Sequence, residues 1–403
     1  MSSTIGLPLC KPARLSQKKL NPLFIIFSLL LSSNTFASNG VDNLGRADYD
    51  LDNDGLIEIN DLADLNEIRN NLDGKTLYTS NIGCPNAEDG SANGGCIGFE
   101  LAHSLNFDTN ANGQMDSGDA YWNEDANGVS EGWLPLGNNS VPFSATFNGN
   151  GYTINNLVIN RPTTNHVGLF GSIKNATIEN VSIAGLYSSI VGGEYVGTLI
   201  GSASEGSQIR NILIAAKVSG DSRVGGLVGS VSAFTTYIHI NNSVISGSVV
   251  GNAYVGGVVG FAYFLDTQSI YSINGVLSTA LVEGDRDRDR SVGGLIGYND
   301  NLTVIDSYWA QDSSQQLSSA GQSEVNSYVG LSLETLQCAI AADSDFSAGC
   351  VSSDGSAENL TATMVLYRDW DAEIWDFGSS EQLPGLKFNG QVLRDSDGDG
   401  VVD

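Results

Sequence analysis

The sequence predicts an all-β dominated fold, a parallel β-helix (solenoid) closed by small α/loop caps. Two repeated phrases and the composition carry that prediction. A glycine-punctuated phrase recurs as Val167-Gly-Leu-Phe-Gly171, Val196-Gly-Thr-Leu-Ile-Gly201, Val224-Gly-Gly-Leu-Val-Gly229, Val255-Gly-Gly-Val-Val-Gly260 and Val292-Gly-Gly-Leu-Ile-Gly297, with starts 29, 28, 31 and 37 residues apart. A second phrase, apolar-x-Asn, keeps the same beat at Ile154–Asn156, Ile178–Asn180, Ile209–Asn211 and Ile240–Asn242, and continues with substitutions at Ile270–Ser272 and Val304–Asp306. Repeats this short cannot each bury their own apolar face, so they stack and pair edge to edge. The composition agrees: the chain has 48 glycines in 403 residues, where ordinary usage of about 7% would give about 28.

Taken in chain order, residues 1–37 read as an export signal. Lys11, Arg14, Lys18 and Lys19 precede the apolar block Leu23–Leu31, and small residues lead to a cleavage position after Ala37. That block is far shorter than the ~20 apolar residues a spanning helix needs, so the chain is not expected to cross a membrane. Once the signal is removed, a chain of 46 acidic and 18 basic residues loses four of its bases and none of its acids. A field of that sign repels phosphate backbones, so nucleic acid is not an expected partner.

Residues 38–144 read as an N-terminal cap. Asp50-Leu-Asp52-Asn-Asp54-Gly55-Leu56-Ile-Glu58-Ile-Asn-Asp61 places oxygen donors at alternate loop positions. That spacing wraps a hard cation such as Ca²⁺, with Gly55 at the sharp turn, Leu56 offering its carbonyl and Asp61 closing the shell. The competing reading is a plain acidic turn. A helix follows over Asp61–Leu72, with Leu62, Leu65, Ile68 and Leu72 on one face and Asn60 capping its start. A second loop, Asp108, Asn110, Asn112, Gln114, Asp116 and Asp119, keeps the oxygen spacing but exchanges two carboxylates for amides. It competes with a simple Asn/Gly turn.

Four cysteines remain after the signal, Cys84, Cys96, Cys338 and Cys350. In an oxidising compartment local pairing, Cys84–Cys96 and Cys338–Cys350, is the simplest of three connectivities, each bridge contributing about 3 kcal/mol.

Residues 145–310 form the predicted solenoid. Gln208–Ile214 and Val244–Val250 are short, β-branched and partly alternating, as strands are. Glycines supply tight corners, and asparagines at one corner can hydrogen-bond as a ladder. Residues 311–390 read as a C-terminal cap with a short helix over Ser332–Ile340. Trp309, at the end of the solenoid, and Trp370 and Trp375, in this cap, serve core packing ahead of a carbohydrate platform. Residues 391–403 carry Asp395, Asp397, Asp399 and Asp403, a further acidic loop that stops before a twelfth position.

The glycine phrases resemble the GLUG repeat of bacterial surface and secreted proteins, some of them immunoglobulin A peptidases, and Phe147–Leu157 resembles the segment that opens such arrays. The resemblance covers about residues 145–310 and implies a solenoid and an exported location, but no reaction: the family's peptidase motif, H-E-x-x-H, is absent. The first acidic loop, closing on Asp61 where a Glu is usual, resembles dockerin and EF-hand loops. The last resembles one thrombospondin type 3 repeat. The three histidines, His103, His166 and His239, have no triad-like or metal-like neighbours in sequence, and no G-x-S-x-G elbow is present. The expectation is an exported or surface-displayed, calcium-binding, adhesin-like scaffold for carbohydrate or other cell-surface ligands. The alternatives are a polysaccharide-active β-helix enzyme, or a spacer displaying further domains.

Overall fold

A computed structural model describes residues 46–85, 95–123, 128–234, 236–264, 271–285, 291–322, 330–337, 366–367, 369–378, 382–397 and 401–403. The signal segment, the Cys338–Cys350 pair and Asp399 lie outside these residues.

Parallel pairing organises the molecule into a β-solenoid. The long strand Gln208–Gly225 pairs with Ile238–Gly256 from Gln208↔His239 to Gly225↔Gly256. On its other side three shorter strands, Thr177–Ala184, Ser189–Val191 and Glu194–Gly197, supply the same edge in pieces. The stack continues upward through Tyr271–Ser278 and Thr303–Ile305. β-Branched residues recur at matching positions, so like stacks on like inside: Ile178, Ile209, Ile240, Ile273 and Val304 form one column at 0–1% exposure. Each such side chain contributes roughly 1.5–3 kcal/mol by leaving water.

At the corner after this column Asn180, Asn211 and Asn242 hold φ of 55°, 56° and 48°, a left-handed conformation that Asn tolerates better than most residues. Their amides form the expected ladder. Asn180 Nδ2 donates to Asn148 Oδ1 at 3.0 Å, Asn211 to Asn180 at 2.9 Å, and Asn242 to Asn211 at 3.3 Å. Two phrases fall elsewhere than the sequence suggested. Ile154–Asn156 lies on another face, where Ile154 pairs with Leu105 and Ile183, and Phe147 takes the place beside Ile178. The column's next member is Ile273, followed by Gly275, rather than Ile270–Ser272.

The glycine phrases build a second parallel sheet, in which Phe170–Lys174, Ile200–Ser204, Val228–Ala233, Val259–Phe264, Ile296–Asp300 and Ala320–Gln322 stack in order. Val224, Leu227 and Val228 of one phrase point inward and are fully buried. The intervening Gly226 has a different task. A Cβ there would sit 2.2 Å from the Gly257 carbonyl oxygen, and one on Gly257 would sit 2.2 Å from that of Gly294. The second glycine is needed because consecutive rungs touch backbone to backbone.

The stack reaches back beyond residue 145. Leu56–Ile59 pairs with Gly98–Leu101, which pairs with Thr146–Asn148. The helix that covers this end spans Leu62–Glu67 and runs into a 3₁₀ turn, Ile68–Asn70. Its cap is Asp61, not Asn60: the Asp61 carboxylate accepts from the N–H groups of Ala63 and Asp64. At the other end Trp309 is fully buried against Gly294 and donates Nε1 to the Gln316 carbonyl at 3.0 Å.

The C-terminal region lies along the flank of the stack. Leu213, Val244, Leu277 and Tyr308 form an outward column, and Tyr367, Trp370, Trp375, Leu386 and Phe388 cover it. Trp370 donates to the Asp306 carbonyl at 2.8 Å, and Asn389 donates to the Asn150 carbonyl at 2.9 Å. The helix beyond residue 330 is shorter than expected, Leu333–Leu336, with Ser332 as its cap. Among the described residues no helix is long and apolar enough to cross a membrane.

Candidate metal centre

The loop of Asp50 is the corner that launches the first strand of the stack. Asp50 is fully buried and braces the loop from within, Oδ1 accepting from Asp54 N at 3.0 Å and Oδ2 from Gly55 N at 2.9 Å. Asp52 Oδ1 also accepts from Asp54 N, at 3.1 Å, and Asp54 Oδ1 from Leu56 N at 2.8 Å. Positive φ at Asn53 (64°) and Gly55 (94°) curls the chain so that these carboxylates converge. Asp50, Asp52 and Asp54 each offer an oxygen within 4.8 Å of the others. Burial raises the Asp54 carboxyl above its usual range, with Asp52 and Asp50 adding to the effect against a bond from Leu56.

A second grouping forms where the loop meets the strands. Asp52, Glu58 and Glu100 also offer oxygens mutually within 4.8 Å. Glu58 is 7% and Glu100 6% exposed. Glu58 Oε1 accepts from Leu51 N at 2.6 Å, whereas its buried Oε2 has no hydrogen-bond partner. Glu100 Oε2 accepts from Asn150 Nδ2 at 2.7 Å. Burial pushes Glu58 upward, with Asp50 and Asp52 adding to it. Glu100 is pushed up to about 7, by burial first and then by Asp54, Asp52 and Glu58, against the Asn150 bond. Packed hard oxygens with an orphaned buried acceptor fit a divalent cation.

Of the other candidate donors in this loop, the carbonyl of Leu56 lies on the strand side opposite those of Gly55 and Ile59, which accept from Ile97 and Ala102. Asp61 is engaged at the helix start as described. Glu100 was missed by sequence reasoning, because Gly98-Phe-Glu-Leu101 has no loop spacing. The Cys84–Cys96 disulfide forms beside the site, with Cα atoms 4.9 Å apart.

The Asp108 loop repeats the same backbone. Asp108 accepts from Asn112 N at 3.2 Å and Gly113 N at 3.0 Å, with positive φ at Ala111 (55°) and Gly113 (78°). Its polar groups satisfy one another: Asn110 and Asn112 donate to the two oxygens of Asp116 at 3.2 and 2.8 Å, and Asp119 accepts from Asn110 N and Asp116 N. Gln114 is exposed, and its N–H donates to Asn112 Oδ1. Hydrogen bonds, led by the one from Gly118 N, hold Asp116 below its usual range. In the C-terminal loop Asp395 is buried and Asp397 exposed, and Asp403 accepts from Ser396 N at 2.9 Å.

A separate feature lies on the outer face of the glycine-phrase sheet. A shallow groove of about 350 Å³ is lined by His166, Ser172, Lys174, Tyr195, Ser202 and neighbouring serines. The His166 ring stacks on Tyr195 at 4.5 Å and contacts Ser202 Oγ at 2.9 Å. Arg223 extends the row, 4.7 Å above the Tyr195 ring and 5.2 Å from that of Phe261.

No family model matches the chain. Halomucin of Haloquadratum walsbyi is 39% identical over 104 residues, 25% of this chain and 1% of that protein. A "Putative Gly-rich membrane protein" of Evansella cellulosilytica is 43% identical over 72 residues, 17% of this chain and 8% of that protein. The chain therefore spans a small fraction of the curated relatives it matches. A solved structure described as a "putative immunoglobulin A1 protease" from Bacteroides ovatus aligns with 84% of this chain and 92% of its own, at 14% identity and a TM-score of 0.39.

Proposed function

We propose that this chain is an exported, calcium-stiffened β-solenoid that acts as an adhesin-like binding scaffold at the cell surface. The observation that carries the calcium reading is the convergence of Asp50, Asp52 and Asp54 beside a buried Glu58 oxygen with no protein donor. Calcium there would lock the corner from which the first rung departs. The GLUG-like phrases, the signal-like N-terminus and the names of the two sequence relatives support a surface location. Half-buried rings and hydroxyls along the groove of Tyr195 and Ser202 suit weak contacts with sugar rings, which repeated rungs would multiply into avidity.

The test is a thermal melt of the exported chain with calcium and with EGTA. With the roughly 10⁻⁴ to 10⁻³ M affinity of extracellular modules, about 10 mM calcium adds roughly 1.4–2.7 kcal/mol, a rise of a few degrees. An unchanged midpoint rejects calcium. A glycan array, followed by a turnover assay on any hit, tests the scaffold: binding without cleavage supports it, and cleavage rejects it in favour of an enzyme.

A further inference from the structure

We infer that Glu100, from the second turn of the stack, is the closing ligand of the Asp50 loop, so that one calcium ion clasps the first two rungs together. The inference rests on the calcium reading of that loop and adds a ligand that the loop itself does not contain.

In a loop of this spacing the twelfth residue normally closes the shell with a carboxylate. Here that residue is Asp61, which belongs to neither group of converging oxygens, and its Oδ1 is occupied at the helix start, accepting from Ala63 N at 2.9 Å and Asp64 N at 2.8 Å. Turning it to a metal would uncap the helix, which costs about 1 kcal/mol. Glu100 needs no such rearrangement. It stands directly across the parallel ladder from Glu58, and the two share with Asp52 a cluster of oxygens mutually within 4.8 Å.

Two carboxylates facing each other across a strand pair repel, and both are more than nine-tenths buried. Among the described residues no Lys or Arg forms an ion pair with either. The unpartnered Glu58 Oε2 is an independent sign that the cluster is built around something. Asn150, from the third rung, donates Nδ2 to Glu100 Oε2 at 2.7 Å and to the carbonyl of Leu101 at 3.1 Å, fixing the carboxylate from behind as outer partners of metal ligands do. All donors are hard oxygens, which selects calcium or a similar divalent ion over softer metals.

The experiment is calorimetric titration of the exported chain with CaCl₂, comparing wild type with Asp52→Asn, Glu100→Gln and Asp61→Asn. Asp52→Asn identifies which phase belongs to this loop. Glu100→Gln keeps the shape and the Asn150 bond, and Asn at position 61 caps a helix as well as Asp does. The expected result is at least a tenfold loss of affinity in that phase for Glu100→Gln and less than a twofold change for Asp61→Asn. Equal affinity in Glu100→Gln and wild type overturns the inference while leaving the loop reading intact, as does a large loss confined to Asp61→Asn. A wild type that takes up no calcium overturns both. Far-UV circular dichroism of each variant separates lost ligation from lost folding.

Discussion

Replacing Asn211 by Ala tests whether the amide ladder, and not the apolar column alone, holds the rungs in register. Asn211 donates to Asn180 at 2.9 Å and accepts from Asn242 at 3.3 Å. Losing two such bonds costs about 2 kcal/mol at about 1 each. Alanine must also adopt the φ of 56° that Asn211 holds, which adds about 1 kcal/mol. The expected loss is therefore about 3 kcal/mol, large against the ±0.5 kcal/mol of an ordinary surface change. Urea unfolding at fixed calcium, followed by far-UV circular dichroism, measures it. Asn180→Ala breaks the shared bond from the other side, so the double variant should lose about 1 kcal/mol less than the two single losses together. Additive losses, or an Asn211→Ala loss under 0.5 kcal/mol, would refute the ladder as a stabilising element.

Three further outcomes follow from the same structure. Burial first, then Asp54, Asp52 and Glu58, push the Glu100 carboxyl up to about 7 in the folded chain against a usual value of 4.5. In EGTA, folding relative to Glu100→Gln should therefore be undiminished below pH 4.5 and lose up to about 3 kcal/mol as pH rises to 7; a pH-independent difference between the two chains contradicts this. Trp370→Ala removes a side chain only 5% exposed that packs 4.1 Å from Trp375, a loss of about 3–5 kcal/mol. Limited proteolysis should then cut within residues 369–397 first while the stack keeps its β signal, and an unchanged cleavage pattern argues against flank docking. Gly257→Ala places a Cβ 2.2 Å from a neighbouring carbonyl oxygen, so a melting point equal to wild type would show that rungs do not touch there; overpacking of this kind costs about 1–3 kcal/mol.

The solenoid was legible because its constraint repeats. Each Val-Gly-Gly phrase answers the same need, two inward apolar residues and a backbone that admits the next rung, so the period survives in the letters. What blurred was phase. Phe147 does the inward work of an Ile, and Gly275 takes the left-handed corner that Asn180, Asn211 and Asn242 occupy. Both substitutions are physically equivalent and textually different, which moved two phrases off their true columns. The first two turns were hidden for a related reason. Leu56–Ile59 and Gly98–Leu101 stack with the rest but lack the glycine phrase. The flank contact did leave a trace: Ile212-Leu213-Ile214 is apolar at three consecutive positions and fully buried at each, the mark of a strand covered on both faces.

The site was only half legible, and the reason separates local from non-local chemistry. A loop that wraps its own ligands writes them at fixed spacing, so Asp50, Asp52 and Asp54 can be read directly. Glu100 joins them through strand register alone. That register places Glu58, Glu100, Asn148, Glu179, Arg210, Asn241 and Asn274 in one column. Within it Glu179 meets Arg210, whose Nε donates to its carboxylate at 2.6 Å, and the amides need no counter-charge. The pair at the base of the column, Glu58 and Glu100, consists of like charges under the cover of the acidic loop. A column that balances its charge further up would be balanced at its base by a bound cation, and one divalent ion satisfies both glutamates at once. The same ion would tie the corner to the second rung, which gives the acidic loop a structural reason to sit where the stack begins.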